Sequence, residues 1–242
     1  MAVRAEAIPC LSDNYAWLLT DEATGTVALC DPGEAGPPLA AIKAAGGRLD
    51  MILLTHHHGD HVAGVAEVVA ATGAKVIGAA ADAHRLPPLD VAVKPGDTVM
   101  LGATPAVVLD SPGHTIGHIA FHFADGGVVL CGDTLFATGC GRLLEGTPAD
   151  MFHALAILAA LPDETLVCCG HEYTESNIRF ALTVEPDNTA LRAWATKAAA
   201  LRGENRATVP TTMAHERATN PFVRAADVAT LATRRSGKDN FR

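Results

Sequence analysis

Short apolar runs separated by turn-forming residues dominate the chain up to about position 170. Runs of this length, bounded by Gly, Pro and Asp, are typical of buried or half-buried strands. Strands are predicted over residues 15–20, 26–30, 51–54, 75–78, 98–101, 106–110, 119–123, 128–131 and 166–169. From Asp97 to Cys131 the pattern is purely that of strands and turns.

Helical spacing of apolar residues appears between some of these strands. Helices are predicted over 39–45 and 61–71, and a third from Pro148 to about Leu161. Thr147 is a favourable N-cap for the third helix, because Pro occupies the first helical position and an acid follows three residues after Thr147.

After Tyr173 the strands give way to helical segments over 175–184, 187–202 and 225–235. Strands followed by helices, repeated twice, favour two sheets packed face to face with helices outside. We therefore predict an α/β fold, an αββα sandwich, with a C-terminal helical domain. The boundary is predicted between a domain with both sheets at 1–172 and a helical domain at 173–242.

Composition supports a globular chain. Its 242 residues are 49% hydrophobic and 19% charged, which allows a sizeable core and is unlike a disordered chain. The net charge of -9 disfavours nucleic acid as a partner, because phosphate backbones are also negative. The one basic cluster, formed by Arg234, Arg235, Lys238 and Arg242, is too short for a nucleic-acid-binding tract.

Nothing in the sequence predicts a membrane or secreted protein. No apolar run reaches the roughly 20 residues that span a bilayer, and residues 1–10 do not resemble a secretory signal. The six cysteines are scattered without a Cys-x-x-Cys pair, as expected for reduced thiols. We expect a cytoplasmic monomer that acts on a small molecule.

The sequence Thr-His-His-His-Gly-Asp-His at 55–61 directly follows a predicted buried strand. Side chains at strand ends can converge on a cleft, and imidazole with carboxylate is a common set of metal ligands. Three further candidates follow other strands: His114 after 106–110, Asp133 after 128–131 and His171 after 166–169. Together these residues predict a metal site.

The order His-x-His-x-Asp-His, followed by His, Asp and His at later strand ends, resembles the metallo-β-lactamase superfamily over about residues 10–180. The resemblance implies one metal ion held by His56, His58 and His114, a second held by Asp60, His61 and His171, and Asp133 bridging them. It implies catalytic roles for Asp60 and Asp133 in activating a bridging hydroxide. His57 alternates away from its neighbours and is expected to make a supporting or packing contact.

Two divalent metal ions per chain are therefore expected, zinc first, with iron or manganese also compatible with these ligands. Paired cations lower the pKa of a shared water toward neutrality, so a nucleophile is available at pH 7. No Ser or Cys nucleophile is needed, and the Gly-x-Ser-x-Gly motif of serine hydrolases is absent.

Further segments resemble the glyoxalase II (hydroxyacylglutathione hydrolase) family in particular. They lie at 8–15, 139–147, 169–174, 220–224 and 235–239, and together they span nearly the whole chain. This resemblance implies hydrolysis of the thioester S-D-lactoylglutathione to glutathione and D-lactate, the second step of methylglyoxal detoxification. It also implies that the helical domain binds substrate.

Glutathione is net anionic, so an acidic protein must supply cations locally to hold it. Arg142, Arg235 and Lys238 are the candidate cations, and Tyr173 could donate its hydroxyl. Two positions depart from the family pattern, since some members have Lys at Arg142 and an aromatic hydroxyl at Leu144. The hydrogen bond missing at Leu144 is worth about 1 kcal/mol of binding.

Several alternatives stay open. The same scaffold could carry a mononuclear iron persulfide dioxygenase, although the complete second ligand set weighs against it. It could also carry a lactonase or β-lactamase, neither of which needs Arg235 and Lys238. A non-enzymatic metal-binding module is disfavoured, because a structural zinc site is a closed shell of about four ligands and seven exceed that need.

Overall fold

The computed structural model describes residues 2–241. Met1 and Arg242, the last member of the predicted basic cluster, lie outside the described residues. The first sheet contains β1 (Val3–Cys10), β2 (Asn14–Asp21), β3 (Val27–Cys30), β4 (Met51–Leu53), β5 (Lys75–Ala79) and β6 (Val91–Val93), in that order. The strands β1 to β3 are antiparallel, and β3 to β6 are parallel.

The helices of this half are α1 (Gly36–Ala44), α2 (Gly59–Val62) and α3 (Val65–Thr72), and a short 3₁₀ turn covers Ala80–Asp82. Parallel strands need crossover connections, and α1 joins β3 to β4 while α2 and α3 join β4 to β5. As a result, the carboxyl ends of β3, β4 and β5 lie at the same edge of the sheet.

From Thr98 to Asp239 the chain forms the second sheet and five helices. Its strands and the hairpin beside it are β7 (Thr98–Leu101), β8 (Thr104–Asp110), β9 (Ile119–Phe123), β10 (Val128–Gly132), the hairpin strands β11 (Leu135–Phe136) and β12 (Gly139–Cys140), β13 (Leu166–Cys169) and β14 (Thr211–Thr212). The helices are α4 (Pro148–Ala159), α5 (Thr174–Val184), α6 (Thr189–Gly203), α7 (Met213–Thr219) and α8 (Val228–Asp239). The order in the sheet is β14-β13-β10-β9-β8-β7.

One hydrophobic core joins the two sheets. It includes side chains from both, with Leu19, Ile52, Phe121 and Leu130 completely buried. The predicted α/β class with a C-terminal helical region is confirmed. Among residues 2–241, no helix is long and apolar enough to cross a membrane.

The predicted strands are all present, but the sequence pattern missed several elements. The first strand, β1, was missed because it lies at the sheet edge and several of its alternate residues, including Arg4, are exposed. The helix predicted over 61–71 is two helices, broken at Ala63 and Gly64. A Cβ on Gly64 would lie 2.4 Å from the carbonyl carbon of Glu34, so the break brings two backbones into close contact. The predicted capping box from Thr147 to Asp150 is present.

The helical region is not isolated from the sheets. Its short strand β14 pairs antiparallel with β13, and the backbone N–H of Met213 donates to the carbonyl of Thr165. The region therefore extends the second sheet as well as packing against it.

Candidate metal centre

Four strand-end loops bring the predicted site residues together. The loop after β4 carries His56 and His58 and leads into α2, which carries Asp60 and His61. The loops after β8, β10 and β13 carry His114, Asp133 and His171. Two glycines allow this crowding. Gly132 has a φ of +45°, and a Cβ there would lie 2.3 Å from Oγ1 of Thr55. A Cβ on Gly170 would lie 2.5 Å from Oδ1 of Asp133. Side chains at either position would displace the site.

Ring nitrogens of three histidines lie close together and form the first group of predicted ligands. Nδ1 of His58 lies 3.1 Å from Nε2 of His56 and 3.0 Å from Nε2 of His114. Three neutral imidazole nitrogens at these distances cannot all be paired by hydrogen bonds to one another. They could all bind one cation placed between them. His56 and His114 are buried, so this group faces a site with little solvent.

Asp60, His61 and His171 form a second group. Nε2 of His61 lies 3.3 Å from Nε2 of His171, and Oδ2 of Asp60 lies 3.4 Å from the same His171 atom. The side-chain amide of Asn14 donates to Oδ2 of Asp60 and also to the backbone carbonyl of Asp60, which fixes the carboxylate.

Asp133 lies between the two groups. Its Oδ2 is 3.5 Å from Nε2 of His114 and 3.3 Å from Nε2 of His171, and its Oδ1 is 3.3 Å from Nε2 of His61. The Oδ1 atom is buried and has no hydrogen-bond partner. A buried carboxylate oxygen without a donor is costly unless a cation satisfies it. The donor set therefore fits bound metal.

The electrostatics of the site depend on Asp133. Burial raises the pKa of Asp133, but His61 and His171 outweigh burial and hold it well below its usual value. Burial lowers the pKa of His171, but Asp133 and Asp60 raise it to about 9. Imidazoles must be neutral to bind a cation, so metal binding here displaces protons and strengthens as pH rises.

Several supporting residues were missed in the sequence. Asp31, in a segment interpreted only as a turn, lies 3.1 Å from Nδ1 of His61 and accepts a hydrogen bond from the hydroxyl of Thr55. Asp13 Oδ1 lies 3.1 Å from Nδ1 of His171. Carboxylates in this position fix the ring and tautomer of a ligating histidine. Asp31 follows the end of β3, beside β4, and that placement was the available signal.

His118 supports Asp133 from behind. The backbone N–H of Asp133 donates to Nε2 of His118, whose Nδ1 lies 2.8 Å from Oγ of Ser111. Burial holds the pKa of His118 well below its usual value, so the ring is neutral and can accept at Nε2. Its ring also stacks on that of His56, with centroids 4.8 Å apart. This contact of His118 was not predicted from the sequence.

His57 points away from both groups. Its Nδ1 lies 3.1 Å from Oδ2 of Asp82, and Arg85 pairs with both Asp82 and Glu145. Glu145 in turn accepts from the backbone N–H of Ile116. His57 therefore makes the kind of supporting contact that its alternating position indicated.

A cavity of about 370 Å³ opens beside the metal centre. Its wall includes His114, Asp133, Phe136, Cys140, Arg142, Tyr173, Ser176, Asn177, Arg235, Lys238, Asp239 and Phe241. The part of the chain that forms the two sheets supplies one side of it, and helices α5 and α8 supply the other. All four predicted substrate-binding residues line this cavity, together with two of the predicted metal ligands.

The four predicted substrate-binding residues differ in how free they are. Arg142 is 72% exposed at its side chain, with Nε 3.8 Å from Asp239. Arg235 is buried and donates to the carbonyl of Cys140 and to Asp239.

The other two, Lys238 and Tyr173, contact neighbouring residues of the wall. Lys238 donates to the carbonyl and hydroxyl oxygens of Ser176. Burial, and then the neighbouring arginines, lower the pKa of Lys238 to about 8. Tyr173 stacks on His171, with centroids 4.5 Å apart.

Two protein-family models match successive parts of the chain. The model of the metallo-β-lactamase superfamily matches residues 12–171, and that of the hydroxyacylglutathione hydrolase C-terminus matches residues 172–241. A hydroxyacylglutathione hydrolase of Cereibacter sphaeroides (strain ATCC 17025 / ATH 2.4.3) is 56% identical over 96% of this chain and 91% of its own length. One of Fuscovulum blasticum is 57% identical over 93% of this chain and 88% of its own length.

Solved structures give the same fold. The crystal structure of ETHE1 from Myxococcus xanthus has a TM-score of 0.72 and 26% identity, covering 98% of this chain and 90% of that one. A di-iron-bound form of TTHA1623 has a TM-score of 0.62 and 29% identity, covering 90% of this chain and 99% of that one. With the sequence matches and the His and Asp groups able to bind metal, these similarities show that the chain belongs to the metallo-β-lactamase superfamily and, within it, to the hydroxyacylglutathione hydrolase family.

Proposed function

We propose that the protein hydrolyses S-(2-hydroxyacyl)glutathione thioesters, S-D-lactoylglutathione first among them, to glutathione and the 2-hydroxy acid. The observation that carries this proposal is the cavity that metal-ligand candidates line on one side and C-terminal cations line on the other. A lactonase or β-lactamase would have no need of Arg235 and Lys238 at that position. The sequence identity to relatives named hydroxyacylglutathione hydrolase supports this activity.

Two divalent metal ions are proposed for the centre. One would be held by His56, His58 and His114, the other by Asp60, His61 and His171, with Asp133 contacting both. Zinc is proposed first, and iron or manganese is compatible with the same ligands. Bound there, the ions would polarise the thioester carbonyl and lower the pKa of water to give a nucleophile near pH 7. The di-iron-bound form of the related TTHA1623 supports a site for two ions.

The chain's own groups hold and orient the reactants. Asp60 and Asp133 provide negative charge beside the histidines, which favours bound cations and orients the attacking water. Buried rings of His56 and His114, with Phe136 and the Tyr173 ring, limit access of bulk water to the acyl carbon. A drier site strengthens each electrostatic contact with the developing oxyanion.

The cations of the cavity wall would hold the glutathione part. Arg142 is exposed and free to pair with a carboxylate, since its only ionic contact in the described part of the chain is at 3.8 Å. Lys238 offers a point charge, while Arg235 mainly fixes the Cys140 carbonyl and Asp239. Tyr173 would donate its hydroxyl to the peptide of glutathione.

We extend the proposal to organisation and setting. A catalytic domain at 1–172 and a substrate-binding helical domain at 173–242 agree with where the two family matches meet. A cytoplasmic monomer is proposed, supported by cysteines that are all free and buried.

An assay of the metal-loaded protein on S-D-lactoylglutathione, beside a lactone and a β-lactam, tests this function. We expect thiol release from the thioester and little turnover of the other two. No thiol release would contradict the proposal. One iron per chain together with oxygen uptake on a persulfide would favour the dioxygenase instead.

A further inference from the structure

A buried glutamate links the helical region to the cavity wall. Glu216 on α7 is 0% exposed, and no cation pairs with it within residues 2–241. Its carboxylate accepts hydrogen bonds from the hydroxyl of Thr211 at 2.6 Å, the backbone N–H of Thr138 at 2.9 Å and the side-chain amide of Asn220 at 2.9 Å. Burying a carboxyl group is costly, and all of its donors here are neutral. The metal centre and the proposed binding residues do not use it.

Most of these contacts serve the hairpin β11–β12. Ala137 and Thr138 form its turn, and Thr138 has a φ of +60°, a conformation that L residues rarely adopt. Asn220, held by Glu216, also donates to the carbonyls of Phe136 and Gly139 at 3.2 and 2.9 Å. The pair of side chains therefore fixes one N–H and two carbonyls of the hairpin backbone.

The hairpin shapes the cavity at both of its strands. The ring centroid of Phe136 lies 5.2 Å from that of Tyr173, and the carbonyl of Cys140 accepts a 2.6 Å hydrogen bond from Arg235. Phe136, Cys140, Tyr173 and Arg235 all line the cavity. A shift of the hairpin would move the ring of Phe136 and remove the carbonyl that holds the guanidinium of Arg235.

The metal-ligand loop is anchored separately. Asp133 is held by its own backbone hydrogen bond to His118, and the base of the hairpin is closed by the N–H of Gly141 donating to Thr134. Loss of the contacts at the turn should leave Asp133 in place.

We propose that Glu216 is a positioning residue that sets the cavity for the glutathione part of the substrate through the β11–β12 turn, and not through the metals. The inference rests on the proposed function, because it needs a glutathione thioester to occupy the cavity. Its effect should appear in binding of the substrate, while metal content and the chemical step change little.

Kinetics of three variants on S-D-lactoylglutathione test this. Glu216→Ala should raise KM about tenfold, since it leaves buried N–H groups unpaired, while kcat and metal content stay within about twofold of the wild type. Glu216→Gln should restore KM, because its amide oxygen can accept from Thr138 and Asn220 while its amide nitrogen donates to Thr211. Thr211→Val is the matched control: it removes a hydrogen bond to the same carboxylate on the side away from the hairpin, and KM should not change.

Two measurements do not depend on turnover. Calorimetric binding of S-methylglutathione should weaken in Glu216→Ala to the same extent as KM. Hydrogen exchange should accelerate at residues 136–140 in that variant and not in Thr211→Val. If Glu216→Ala does not fold, Asn220→Ser replaces it, since Ser keeps an oxygen for the Phe222 N–H but cannot reach both hairpin carbonyls.

An unchanged KM in Glu216→Ala, or a loss of kcat and metal with KM unchanged, would overturn the inference. So would a Gln variant as impaired as the Ala variant. An inactive wild type that also fails to bind S-methylglutathione is a different result, because it removes the proposed function itself.

Discussion

Oδ2 of Asp31 lies 3.1 Å from Nδ1 of His61, and the same carboxylate accepts from the backbone N–H of Thr55 at 2.9 Å. In Asp31→Asn, the amide nitrogen must face one of these N–H groups, so one contact is lost. We expect metal affinity to fall by about 10- to 100-fold, measured by competition with a chelator. Asp21→Asn is the control, since Asp21 is a buried aspartate that holds a distant turn near Thr24. Equal loss in both variants would contradict a specific role for Asp31.

His118→Phe should keep the ring stacked on His56 but remove the acceptor of the Asp133 N–H. Outer contacts of this kind contribute about 10- to 100-fold to metal affinity or activity. We expect a loss in that range, with metal content measured by mass spectrometry. His122→Phe, in the adjoining strand β9, is the matched control, because Nε2 of His122 has no hydrogen-bond partner. The control should retain its metal.

Asp133→Ala removes a carboxylate that contacts both groups of predicted ligands. Bound ions would lose their spacing, and thioesterase activity should fall by more than the roughly 100-fold expected for supporting residues. Activity and metal stoichiometry are measured on the same sample. A variant that kept two ions and most of its turnover would rule out a bridging position for Asp133.

Lys238 should cause kcat/KM to fall at alkaline pH. Burial and the neighbouring arginines lower its pKa to about 8, so it is charged below that pH and neutral above it. An anionic substrate binds the charged form, and kcat/KM should therefore fall as pH rises through about 8. Lys238→Arg keeps its positive charge across this pH range, so the part of the decline in kcat/KM that Lys238 causes should disappear. The ionisations of glutathione itself are the same for both proteins. A decline of the same size in both proteins would assign it to another group.

Leu144 is 59% exposed and lies two residues after Arg142, which lines the cavity. Leu144→Tyr would supply the hydroxyl that some family members have there. A hydrogen bond of about 1 kcal/mol corresponds to a roughly fivefold lower KM for S-D-lactoylglutathione. Leu144→Phe separates the ring from the hydroxyl and should leave KM near the wild-type value. An unchanged KM in the Tyr variant would mean that the hydroxyl finds no partner in this protein.

The sequence predicted the parts of the fold that have a strong local pattern. Buried strands such as 119–123 and 166–169 were placed at their observed bounds, because continuous apolar runs between turns specify them. Elements held mainly by distant partners were missed. The hairpin β11–β12 depends on Asn220 and Glu216, which lie more than 70 residues away along the chain. No local sequence pattern predicts this hairpin.

The predicted site shows the same division. Residues in the metal-ligand pattern lie together because they follow strands whose ends share one edge of the fold. Asp31, Asp13 and His118 were not assigned roles, since a single polar residue in a turn or strand has no distinctive spacing. Their function becomes visible only when the chain has brought them next to His61, His171 and Asp133.

The pairing of β14 with β13 has a consequence for shortening this protein. β13 carries the last metal-ligand loop, and β14 covers the backbone that would otherwise be the open edge of its sheet. Open strand edges recruit other chains. A chain ending before residue 173 would therefore lose more than its proposed glutathione-binding residues: it should also self-associate through the strand that precedes His171.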